Sequence, residues 1–290
     1  MNKQTKVWLV LSIALSLLAL ASACGGAKTP DTNAPAAGDT SAAAPYSGPT
    51  GTIAGVVSFT GTPPAPKKID TSADPVCGQK SPNLTTDDNV VNNGKLANVF
   101  VYVKEGTLDG NKKLSDYQWP TPTTAVQLDQ NGCHYKPHVL GVQTNQKITI
   151  TNSDPTQHNI HWTPANNPEW NQSQPNGAPP IEKSFNRAEI LVPVKCNQHP
   201  WMKAYIGVMR TPFFSVSSDT GAYEIKGLPP GKYTVIAWHE GGAKGTEAPP
   251  QEVTVTANGS AKADFSFGAA ATSISPTLQM MPALEIPVRH

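Results

Sequence analysis

The sequence predicts an all-β protein, and three observations carry that expectation. Short runs rich in β-branched and aromatic residues alternate with period two, as in Gly51–Phe59 and Ala97–Val103. Asp219–Trp238 reads as strand, Gly-Pro turn, strand. With 23 glycines and 28 prolines in 290 residues, the chain is interrupted too often for long helices.

At the N-terminus, Lys3 and Lys6 precede an apolar run, Val7–Ala23, broken only by serines, and Ala21-Ser22-Ala23 puts small residues before Cys24. This is the pattern of a signal peptide, residues 1–23. Cys24-Gly25-Gly26 resembles a bacterial lipobox, with Ala21 where leucine is usual, so the expected fate of Cys24 is lipidation after cleavage. Ordinary cleavage or a retained helical anchor are the alternatives. The chain is then exported and lipid-anchored, facing the periplasm, on an outer membrane if the cell has one, or exposed on the cell surface. Residues 25–50 hold no Val, Ile or Leu and one aromatic, Tyr46, so a disordered tether is expected over 24–50. Of 22 basic residues, losing Lys3 and Lys6 leaves 20 against 21 acidic ones. That balance gives no nucleic-acid footprint and leaves the lipid as the sole membrane contact.

The run Cys196-Asn197-Gln198-His199-Pro200-Trp201-Met202 places a thiolate, an imidazole and a thioether within seven residues. Copper cycling between Cu(I) and Cu(II) needs soft sulfur and nitrogen together, and a His₂Cys set with a weak Met serves both states. Ile190–Val194 and Ala204–Met209 read as strands, so the run is the loop joining them. Pro200 stiffens that loop. A second histidine is required, and His158 supplies it, expected at the end of a strand over Lys147–Asn152. The predicted set for one type 1 copper is His158, Cys196, His199 and Met202.

With those residues in place, the chain resembles the cupredoxins, and its Cys-x₂-His-Pro-aromatic-Met loop is most similar to that of amicyanin. The match covers roughly Thr123–Arg210, including Tyr135–Val142. The resemblance implies a Greek-key sandwich, and it implies that Asn159 ties the two ligand loops together and orients hydrogen bonds near the Cys196 sulfur, which tunes the potential. It also implies that the His199 edge reaches the surface through an apolar rim made by Pro200 and Trp201, where electrons would pass. His161, three residues from His158, points to the opposite strand face. His134 and His138 flank a strand beside Cys133, and His239 ends another. A binuclear copper site needs a second cysteine in the loop, which holds only Cys196.

Two cysteines remain. In an oxidising compartment Cys77 and Cys133 most simply form a disulfide; a redox-active or second-metal pair near His134 and His138 is the other reading. The strands outside the copper region resemble the carboxypeptidase regulatory-like, transthyretin-type β-sandwich, in the order Gly51–Phe59, Ala97–Val103, Asp219–Tyr223. The expected organisation is that sandwich built from 51–118 and 211–267, with a cupredoxin domain, 119–210, inserted, and a flexible tail, 268–290. Two sequential β-domains are the alternative.

Function narrows to two classes. The first is a membrane-tethered electron carrier, whose partner would be an envelope cytochrome, dehydrogenase or oxidase. The second is a copper-handling or envelope interaction module without enzymatic activity. Paired catalytic carboxylates, a nucleophile motif and a phosphate loop are all missing from the sequence, so an enzyme is not expected.

Overall fold

The computed structural model describes residues 43–241 and 245–268 of the chain. The protein is all-β, with a single six-residue α-helix, Pro75–Lys80, among the described residues.

The strands early and late in the sequence pair with each other. Gly51–Thr60 pairs antiparallel with Ala222–Leu228 and with Lys95–Leu96, and parallel with Ser260–Lys262 and Phe265–Gly268. Across from this sheet, Phe100–Leu108 lies between Phe214–Val216 and Gly231–His239, and Gln251–Val255 extends the sheet from the latter strand. Between the two sheets lies an apolar core including Ile53, Val57, Val101, Val103, Phe213, Tyr233 and Val235.

Residues 126–209 form separate sheets of five and four strands. The larger has the order Trp170–Gln174, His158–Trp162, Glu189–Lys195, Lys203–Met209, Val139–Gln143; the smaller is Ile181–Lys183, Ile148–Asn152, Val126–Gln130, Tyr135–Lys136. Their inner faces enclose Leu128, Ile148, Ile150, Ile160, Val192 and Ile206.

The alternation expected over Ala97–Val103 is only half realised, because Phe100 through Val103 are all buried. Val101 and Val103 face their own core, while Phe100 and Tyr102 turn outward onto Val139, Leu191 and Met209 of the five-stranded sheet. This central sheet is thus covered on both sides, which removes the polar half of the pattern. Close approach depends on Gly141 and Gly207, where an added Cβ would lie 2.5 Å from Phe214 and 2.4 Å from Phe100. Leu191 reaches this contact through a register shift between Glu189 and Val192, where its φ of 59° marks a bulge that re-aims the side chain.

Two expectations need correction. The disordered tether does not extend to residue 50: Tyr46 packs edge-on to Tyr117 and stacks on Trp119, and Gln118 N donates to Ala44 O at 3.0 Å. One aromatic suffices to dock a segment otherwise poor in apolar residues. His158 opens its own strand, His158–Trp162, rather than ending Ile148–Asn152, and five residues separate the two strands. Cys24, the signal peptide and the tail beyond Gly268 lie outside the described residues.

Candidate metal centre

The strands Glu189–Lys195 and Lys203–Met209 form an antiparallel pair whose loop carries Cys196, His199 and Met202. Two backbone bonds shape the loop: Cys196 N donates to Met202 O at 3.1 Å, and Met202 N to His199 O at 2.9 Å. His158 arrives from the adjacent strand, which pairs with Glu189–Lys195 through His161 and Trp162. The four side chains thus come from one strand and the adjacent hairpin loop of the same sheet, and all are buried.

His158 Nδ1 lies 2.9 Å from His199 Nδ1, and Cys196 Sγ lies 3.6 Å from the latter. The donor atoms of His158, Cys196 and His199 all fall within 4.8 Å of one another. Such separations suit donors around a single ion with bonds of about 2.0–2.3 Å. Met202 is fully buried in the same cluster as Cys196.

Both imidazoles direct Nε2 away from this point onto a carboxylate. His158 Nε2 donates to Asp154 Oδ2 at 2.9 Å, and His199 Nε2 to Asp74 Oδ2 at 2.9 Å. With Nε2 protonated, each neutral ring leaves a lone pair on Nδ1, and two lone pairs then face each other beside a thiol. That arrangement calls for a cation between them, and a donor set of two nitrogens and a thiolate fits copper. Burial works against the Cys196 thiolate, yet the imidazoles of His158 and His199, which donate to the sulfur when Nδ1 is protonated as well, outweigh it and bring the thiol down to about 6. Burial disfavours both imidazolium forms as well, but the bonds to Asp154 and Cys196 for His158, and to Cys196 and Asp74 for His199, raise both rings.

Asp154 is fully buried. Desolvation would raise its carboxyl, but His158, Lys80 at 2.6 Å and the backbone N–H groups of Cys133 and Gly132, each at 2.7 Å, hold it well below the ordinary carboxylate range. The stretch Asn152–Pro155 therefore contains an internal partner of His158. Asp74 was missed altogether, since 125 residues separate it from His199. It lies just before the helix Pro75–Lys80, whose Cys77 is disulfide-bonded to Cys133.

The remaining candidates fall as follows. Asn159 Oδ1 accepts from Asn197 N at 2.5 Å and its Nδ2 donates to Asn171 at 2.6 Å, so it bridges the two ligand segments. His199 is buried and its outer edge meets Asp74, so the expected apolar passage to solvent is interrupted by a carboxylate. Pro200 is exposed, and Trp201 is half-buried, its ring 5.1 Å from that of His199 and its Nε1 donating to Cys133 O at 3.1 Å. His161 lies off the centre, against Asn197 and Glu169. His134 and His138 belong to another cluster: Asp87 Oδ2 is 3.4 Å from His134 Nδ1 and 3.1 Å from His138 Nδ1, and His138 Nε2 meets Glu240.

No protein-family model matches the chain, and no curated protein matches it. Similar solved structures include a purple cupredoxin from Nitrosopumilus maritimus, 22% identical over 29% of this chain and 98% of that one, with a TM-score of 0.25. A reduced amicyanin variant is 20% identical over 30% of this chain and 84% of that one, with a TM-score of 0.27. A copper-containing nitrite reductase from Thermus scotoductus is 18% identical over 29% of this chain, with a TM-score of 0.27, and the match spans 22% of the reductase. Each likeness is confined to under a third of the chain.

Proposed function

We propose that the protein is a one-copper electron carrier of the cell envelope, tethered through a lipid on Cys24, with His158, Cys196, His199 and Met202 as ligands. What carries the reading is the facing pair of Nδ1 atoms beside the Cys196 sulfur, closed off from water, with a buried thioether in the same cluster. Copper held there would exchange one electron with a partner. Strands on both sides of the loop fix the donors, and little rearrangement between oxidation states favours rapid transfer. Buried neighbours exclude water, and Asn159 holds the His158 strand to the Cys196 loop. The non-enzymatic role follows from a His₂Cys-Met set that leaves no coordination position for a substrate. We place the electron exit at Trp201 and Pro200, beside the Asp74-capped His199, and the partner is an envelope redox protein met in brief encounters across a small surface. The tether would raise its effective concentration.

Copper-loaded, oxidised protein should show an intense visible thiolate-to-copper band. Cys196→Ser should abolish that band, while Met202→Gln keeps colour and lowers the potential. Colour surviving in Cys196→Ser would overturn the ligand assignment. Ready release of copper to an acceptor, without electron exchange with any envelope redox protein, would favour copper handling instead.

A further inference from the structure

The two ligand imidazoles receive their carboxylates from different places. Asp154 stands four residues before His158 in the same sandwich. Asp74 lies in the connection between Gly51–Thr60 and Val91–Asn92, two strands of the other sandwich. That connection is fastened over the centre at several points. Cys77 is joined to Cys133, Lys80 Nζ contacts Asp154 and Ser153 O, and Ser81 Oγ donates to Gly132 O at 3.1 Å. The disulfide sits against the centre itself: Cys77 Sγ lies within 4.8 Å of a His199 nitrogen, and Cys133 Sγ within 4.8 Å of a His158 nitrogen.

The two oxygens of Asp74 have separate duties. Oδ1 caps the helix Pro75–Lys80, accepting from Val76 N at 2.9 Å and Cys77 N at 3.4 Å. Oδ2 accepts from Thr156 Oγ1 and His199 Nε2, both at 2.9 Å. An imidazole that donates Nε2–H to a carboxylate is fixed in the tautomer that leaves Nδ1 free, and its basicity as a ligand is raised. A more basic ligand stabilises Cu(II) over Cu(I).

We propose that Asp74 is a positioning residue for the copper centre: delivered by a segment of the other sandwich, it locks the His199 tautomer and holds the reduction potential down. The second sandwich thereby takes part in tuning a centre whose ligands all lie in the first. This inference rests on the copper assignment, but its decisive measurement needs no copper.

Asp74→Asn separates the two duties. Asparagine remains a good N-cap through its single carbonyl oxygen, so its NH₂ must face His199 Nε2, where two donors cannot coexist. In the metal-free wild-type protein, nitrogen-15 NMR of the imidazoles near pH 8 should show His199 protonated at Nε2. In Asp74→Asn the proton should move to Nδ1. Copper affinity, by competition with a chelator, should fall roughly 10- to 100-fold, and the potential of the residual coloured protein should rise. Asp70→Asn, in the same segment with its carboxylate on Ser72 N alone, should change none of these. A wild-type His199 that lacks the Nε2 proton overturns the proposal whether or not Asp74→Asn folds. So does an Asp74→Asn protein with unaltered tautomer, affinity and potential. The copper assignment itself is judged separately, by the wild-type visible band.

Discussion

The two sandwiches bury opposite kinds of interior. Between its sheets the one built from the ends of the described chain holds an almost wholly apolar set, with Tyr223 and Tyr233 sending their hydroxyls to the carbonyls of Ala263 and Pro229. The one built from 126–209 has a comparable apolar middle but packs Gln130, Asp154, His158, Asn159, Gln174 and His199 at one end. Buried polar groups are tolerated only when paired. Here most are paired: Gln130 Nε2 to Gln174, Asp154 to His158, and Asn159 to Asn171 and the Asn197 backbone, with Gln130 Oε1 left without a partner. The difference shows where stability was spent on chemistry. An apolar core needs only volume and pattern, whereas the polar end needs every partner in place.

The largest effect should come from breaking that polar end. Asp154→Ala strands the His158 Nε2–H, two backbone N–H groups and the Lys80 ammonium together, and removing one partner of a buried pair costs on the order of 3–5 kcal/mol. Urea denaturation of the metal-free protein should show this loss. A loss no greater than that of a surface substitution would mean that the two interiors do not differ as described.

A smaller effect is expected where the sandwiches meet. His138 belongs to the 126–209 half, and Asp87 and Glu240 to the other. Burial opposes its charge, but the two carboxylates outweigh burial and lift it to about 10. A histidine raised above its unfolded value of about 6.5 contributes stability fully below that pH, and the contribution declines up to about 10. His138→Gln should cost roughly 1.5–3 kcal/mol at pH 6, and its deficit relative to wild type should shrink steadily toward pH 10. A deficit independent of pH would show that packing, not charge, joins the halves there.

The smallest effect is purely steric. Gly207→Ala sets a methyl group against the Phe100 ring, and overpacking of this kind costs about 1–2 kcal/mol. The copper band should be unchanged, because Gly207 lies on the face turned away from the centre. A shifted band would show that the contact between sandwiches reaches the ligands.

The sequence by itself determined the all-β class, because period-two alternation and dense turn residues are local signals. The donor types of the Cys196–Met202 loop were equally legible, since three of them lie on one hairpin and spacing alone brings them close. His158 was found by its chemistry, although the strand it begins was not, because a five-residue turn intervenes after Asn152. Only tertiary structure decided what surrounds those donors. Asp154 is an ordinary polar residue along the chain until folding buries it, and Asp74 carries no signal linking it to His199. Alternation over Phe100–Val103 vanished because a second sandwich covers the outward face, a fact no window along the strand contains. The proposed donors stand at short spacings and Asp154 lies close to His158 in the chain, whereas Asp74 comes from a segment that meets His199 only when the two sandwiches fold against each other.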